Sequence, residues 1–284
     1  MEKTIDYTSG FNWTSDATDG ASAVAFVFNT ANAYATSGAK LASWKNNGTE
    51  KCSINKDGMI VNSAFNIALY GSIKVGGAAS SSGTYSTAVG YQATSTGYGS
   101  TSVGLLANSV LNGVAIGRGA DQNAEGGIAL GYLSKSDHHF GVAVAGNQFA
   151  ATADNQLLIW QPAATTTDAT PAILYLNESG ASARMTLAAG KLYAFEAHVV
   201  GIQSDGTDAS YFTRKGIIAN NSGTTALIGA VQTVGTDIES NASTDVAITA
   251  DDSNDALQIS VTGIAAETWR WSANVFVKDI TIGT

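Results

Sequence analysis

"TAVGYQATSTGYGSTSVGLLANSVLNGVAIGRGADQNAEGGIALGY" runs from Thr87 to Tyr132, and a small residue, an aliphatic and a glycine return through it in that order. The glycines are Gly76, Gly90, Gly104, Gly117 and Gly131, spaced 14, 14, 13 and 14 residues apart. Val75, Val89, Val103, Ile116 and Leu130 stand just before them, and Ala79, Ala93, Ala107, Ala120 and Ser134 three positions after. Ala88, Ser102, Ala115 and Ala129 lie two before the glycine, with Lys74 breaking the rule in the first copy.

A period this short holds neither a helix pair nor a propeller blade. It fits one coil of a β-solenoid, with two short strands and two tight turns. Alternation along each strand places the aliphatic on one face and Ala or Ser on the other. Glycine suits the point where the backbone bends or another backbone approaches closely. Coils stacked about 4.8 Å apart make five of them a rod of about 25 Å. A coil so thin is not expected to enclose a core, so Ala88, Ser102, Ala115 and Ala129 are expected to pack against neighbouring chains.

The phrases "TAVGYQATSTG", "TSVGLLANS", "VAIGRGA" and "IALGYLSKS" resemble the head repeats of trimeric autotransporter adhesins, the YadA-like head, over about Ile73 to Gly146. The resemblance implies a left-handed parallel β-roll with three chains around a threefold axis. The segment Ala23 to Val61, with "GAKLASWKNNGTEK" and "INKDGMIV", resembles shaft-proximal modules of bacteriophage tail fibres, read as strand, turn and strand around Asn46–Gly48 and Lys56–Gly58. After Ala151, "MTLAAGKLYAFEAHVVG", "DDSNDALQISVTG" and "WRWSANV" show period-two alternation and resemble a carboxyl-terminal domain of phage virion proteins. The expected fold is therefore all-β: an amino-terminal β module over 1–72 that attaches to other virion proteins, a β-roll spacer over 73–150, and an antiparallel β-sandwich knob over 151–284.

Composition narrows the function. Charged residues make up 13% of the chain, net charge is −9, and the basic residues are scattered, so no nucleic-acid partner is expected. No apolar run approaches the ~20 residues of a membrane helix, and "MEKTIDYTSG" lacks the apolar centre of a signal peptide. Cys52 is the single cysteine, which rules out an intrachain disulfide.

Catalytic signatures are sparse. The roll offers Asp121, Glu125 and Asp137 in variable turn positions, and no nucleophile elbow, phosphate loop or dinucleotide fingerprint occurs. The expectation is a protein that is not an enzyme, with no cofactor and no metal. "DHH" at Asp137–His139 reads as a polar turn, or as a metal site if three copies of His138 and His139 meet on an axis. "SDGTDAS" and "ADDSNDA" read as plain turns or as calcium-type oxygen clusters. Trp269 and Trp271 project to one face of a strand, either into the core or as a platform for a sugar, and Arg270 then points outward.

Together these point to a homotrimeric tail fibre on the virion of a tailed phage, attaching to a host glycan or outer-membrane protein. The alternatives are a capsid-decorating head fibre and a glycan-depolymerising tailspike. Candidate receptor-binding residues are Asp205, Asp208, Asn221, Arg270, Trp269 and Trp271, with polar loops at Ser204–Ser210, Asn220–Thr224 and Thr236–Asp245, because loops carry binding while strands hold them in place.

Overall fold

A computed structural model describes residues 40–46, 49–55, 60–61, 72–177 and 183–282. The chain divides into two compact units, 1–68 and 69–284. In the first, Lys40–Asn46 pairs antiparallel with Thr49–Asn55, setting Trp44 opposite Cys52, and Ile60–Val61 adds a short third strand. Most of the expected attachment module, with the turn residues Asn47, Gly48 and 56–58, lies outside the described residues.

The second unit begins with the roll. Strands Ile73–Val75, Thr87–Val89, Thr101–Val103, Val114–Ile116, Ile128–Gly131 and Val142–Ala145 stack in parallel register, so that Ala88, Ser102, Ala115, Ala129 and Ala143 form one row. A second parallel sheet runs through Ser80–Ser81, Thr94–Ser95, Asn108–Ser109, Asp121–Gln122 and Lys135–Ser136. The all-β reading, the parallel β-roll and its frame are borne out.

The assignment of faces is corrected. Ala88, Ser102, Ala115 and Ala129 point into the coil and are 0% exposed within a single chain. They face Ala93, Ala107, Ala120 and a file of serines, so they do have intrachain partners. The coil is thin, and that is why its interior takes small side chains, Gln122 excepted. The serine hydroxyls satisfy one another there: Ser95 with Ser100 at 2.7 Å, Ser102 with Ser109 at 2.6 Å. The aliphatics point the other way, with Val75 55% and Ile116 43% exposed.

The repeated glycine has a double cause. Gly90, Gly104 and Gly117 hold φ of 133°, 136° and 133°, and a Cβ on each would run into the carbonyl of the glycine one coil on. The coil with the one short spacing, between Gly104 and Gly117, also differs inside. Gln122 stands buried in the file otherwise occupied by Ser81, Ser95, Ser109 and Ser136, and the bare Gly113 leaves the space its amide fills. Gln122 Oε1 accepts from the Val110 N–H at 2.9 Å.

After the last coil the same sheet turns antiparallel. Val142–Ala145 pairs with Asn155–Trp160, which pairs with Trp269–Thr281, then Lys191–Gln203, then Ala209–Asn221 and Thr224–Leu227. One ladder therefore runs from the first coil to the far edge. A four-stranded sheet of Ala172–Ile173, Ala256–Thr262, Met185–Thr186 and Asp245–Asp251 covers one face of the antiparallel part. Between them lie Trp160, Leu174, Met185, Phe195, Ile218, Ile259, Trp269 and Trp271. Gln156 closes the second roll sheet: its amide accepts from Lys135 N–H at 3.0 Å and donates to Lys135 C=O at 3.1 Å, as a next strand would.

Candidate functional site

The strands Lys191–Gln203 and Ala209–Asn221 are each thirteen residues long and joined by the turn at 204–208. Gln203 pairs with Trp269 and Ile202 with Arg270, so Asp205, Asp208 and Arg270 share one end of the sheet. Asn221 lies at the other end, next to the pair Lys191 and Asn220. Thirteen residues of strand separate the two ends by about 40 Å. The six candidate residues therefore do not form one site.

Trp269 and Trp271 are corrected as receptor contacts. They are 0% and 2% exposed, stacked at 5.5 Å in the core, and their indole N–H groups donate to Glu267 and to Thr166 Oγ1. The period-two pattern alone left core and platform open. The covering sheet decides for the core. Arg270 points outward, as the alternation requires. The Asp205 carboxyl accepts from the Thr207 N–H at 3.0 Å, and that bond holds it below the usual carboxylate range.

The other polar segments are tied as turns. Asp237 forms a two-bond pair with Arg214, at 2.5 and 2.9 Å, and the guanidinium holds its carboxyl below the usual range. In the 250–256 hairpin, Asp251 pairs with Arg184 at 2.9 Å and accepts from the Asn254 N–H at 3.2 Å. Asp137 pairs with Lys135 at 2.9 Å, and the His138 ring lies 4.7 Å from Trp160 with Nε2 3.0 Å from Thr186 O. Burial holds His138 below its usual value, so the ring is neutral at neutral pH. Among the described residues no group of three His, Cys, Asp or Glu is placed to hold a metal, and no helix is long and apolar enough to cross a membrane.

Among the described residues two concavities bear on function. A groove of about 560 Å³ lies on the outer face of the long sheet, lined by Leu157, Ile217, Ile228 and Phe276 with Glu196, Lys215 and Lys278 among them. A smaller cleft of about 210 Å³ lies where the roll meets the antiparallel sheet, with Asp137, His138, Lys191, Tyr193 and Asp279 in its walls. Asp279 escaped the sequence reading, although the signal was there. It continues the inward row Trp269, Trp271, Ala273, Val275, Val277.

With this geometry in place, residues 81–107 match the YadA head domain repeat in two copies. The match falls within the roll and bears out the resemblance drawn from its repeats. No curated protein matches the sequence. Among solved structures, the chain is similar to the tailspike protein gp49 of Acinetobacter baumannii bacteriophage Fri1, a capsular polysaccharide depolymerase. Identity there is 9%, the TM-score is 0.29, and coverage is 74% of this chain and 36% of the tailspike. It is also similar to the tailspike protein of Acinetobacter phage vB_ApiP_P1, at 12% identity and a TM-score of 0.22, covering 69% of this chain and 48% of that one. The chain thus spans less than half the length of either tailspike. The expectation that it is not an enzyme is corrected: a protein found among these likenesses is a capsular polysaccharide depolymerase, and that conflicts with it.

Proposed function

We propose that the chain is the host-facing part of a trimeric phage fibre or tailspike, attached to other virion proteins through its amino-terminal module and presented to glycans of the host surface. One observation carries the trimer. The aliphatic row on the outside of the roll continues across the antiparallel sheet, Val144 lying opposite Leu157 and Ile159 opposite Phe276. Half-exposed Val75, Ile116, Leu157 and Phe276 stand along one face of a single ladder. Apolar contact of this extent marks an interaction surface, and a threefold axis lets three identical faces cover one another.

Presentation is the mechanism on this reading. A stiff trimer carries three copies of each polar end, so weak contacts with a repetitive surface multiply by avidity. Light scattering of the full chain tests the assembly: a mass three times the 29.0 kDa protomer is expected. A folded monomer at micromolar concentration contradicts it. Incubation with host capsular polysaccharide, read for new reducing ends, decides whether the bound glycan is also cut. An image of the virion distinguishes a tail position from the capsid-decorating alternative.

A further inference from the structure

The strand Trp269–Thr281 buries every second side chain, first Trp269, Trp271, Ala273, Val275 and Val277, and then Asp279. An acid at the end of an apolar row is anomalous, since a buried charge has to be paired and fully hydrogen-bonded. Asp279 is 1% exposed. Its Oδ2 accepts from Lys191 Nζ at 3.0 Å and from Gln156 Nε2 at 3.0 Å. Oδ1 has no hydrogen-bond partner among the described residues. Leaving such an oxygen unpaired forfeits its hydration without replacement. Burial raises the carboxyl above its usual range against the pull of Lys191, as a missing donor would.

Asp279 lines the cleft of about 210 Å³ at the junction. Leu158 and Tyr193 are buried and apolar in its wall, while Asp137 and Lys191 supply polar groups. Its two aspartates are already paired with its two lysines, Asp137 with Lys135 and Asp279 with Lys191, so an anion finds no free cation there. A cation would compete with the Lys191 ammonium already on Asp279. A neutral hydroxyl meets neither obstacle, because it donates to Oδ1 without adding charge. The volume takes one ring, and a lining in which Thr152, Gln156, Thr186 and the two ion pairs outnumber Leu158 and Tyr193 suits a ligand rich in hydroxyls.

We propose that this junction cleft binds one neutral sugar ring, or a polyol of that size, with a ligand hydroxyl donating to Asp279 Oδ1. The site lies within one chain and does not depend on the trimer. A monomer that binds the sugar would keep this inference and remove the assembly reading.

Saturation-transfer NMR on the full chain, with glucose, galactose, mannose and glycerol each at tens of millimolar, tests it. At least one probe is expected to show transfer. Thr152→Trp, at an exposed position on the wall of the cleft, is expected to abolish it without touching the core. Asp279→Asn is expected to weaken binding at least fivefold, whereas Asp205→Ala at the far end leaves it unchanged. The inference is overturned by no transfer from any probe, by transfer undiminished in Thr152→Trp, or by a sugar-soaked crystal with only water at Oδ1.

Discussion

At the scale of single residues, the roll depends on positions where no side chain fits. Gly104 has φ 136°, and its Cβ would meet the Gly117 carbonyl. Gly104→Ala is therefore expected to destabilise the second unit by roughly 2–3 kcal/mol, through backbone strain plus a displaced coil; chemical denaturation followed by circular dichroism measures it. The pair Arg214 and Asp237 gives a pH prediction. Its hydrogen bond holds Asp237 below the ordinary 3.8, so the native state binds fewer protons than the unfolded chain around that pH. The stabilisation is then present above about pH 4 and fades as pH falls through the depressed value. Asp237→Asn should cost about 1 kcal/mol at pH 7, and the gap from the parent should narrow once pH falls below the ordinary carboxylate range. An equal gap on both sides of that range would refute the linkage. The glycine rule was legible in the sequence because it repeats. The Arg214 pair was not, since its partners are twenty-three residues apart and neither belongs to a motif.

At the scale of elements, period-two alternation told which residues share a face but not which face is inside. For the roll the sequence reading chose wrongly, because it took so thin a coil to enclose no core at all. The deciding quantity is the thickness of the coil: an interior filled by Ala107, Ala115, Ala120 and Ala129 has no room for valine. Two variants separate the faces. Ala115→Arg forces a charge into a closed coil and is expected to cost more than about 4 kcal/mol, so that the roll melts. Ile116→Asp, one residue on and facing out, is expected to leave the circular dichroism spectrum unchanged and to shift light scattering from trimer to monomer. A trimeric, well-folded Ile116→Asp protein would mean that the outer row is not the contact.

At the scale of the whole molecule, the continuity of one sheet from Ile73 to Leu227 was beyond the reach of sequence. Strand pattern and turns read the roll and the carboxyl region as separate objects, whereas Val142–Ala145 and Asn155–Trp160 pair directly. That continuity places the candidate residues. Strand Asn155–Trp160 lies beside the half of the central strand that holds Val275 to Ile280, so the Asn221 end adjoins the junction. The end with Asp205, Asp208 and Arg270 extends past it and is flanked instead by Ala163–Thr166, with Thr165 opposite Arg270, and there the turn is fixed to the neighbouring loop by the Ser204 N–H on Thr268 O at 2.8 Å. An attachment patch works best where a rigid scaffold holds exposed polar loops at the end remote from the roll. The Asp205, Asp208 and Arg270 end meets that condition better than Asn221. Full-length protein added to susceptible cells is therefore expected to slow phage adsorption. The combined Asp205→Ala, Asp208→Ala, Arg270→Ala variant should lose at least tenfold in that competition while remaining folded and trimeric, and Asn221→Ala should lose little. If the triple variant competes as well as the parent, the patch lies elsewhere; if Asn221→Ala alone abolishes competition, recognition sits at the end next to the roll.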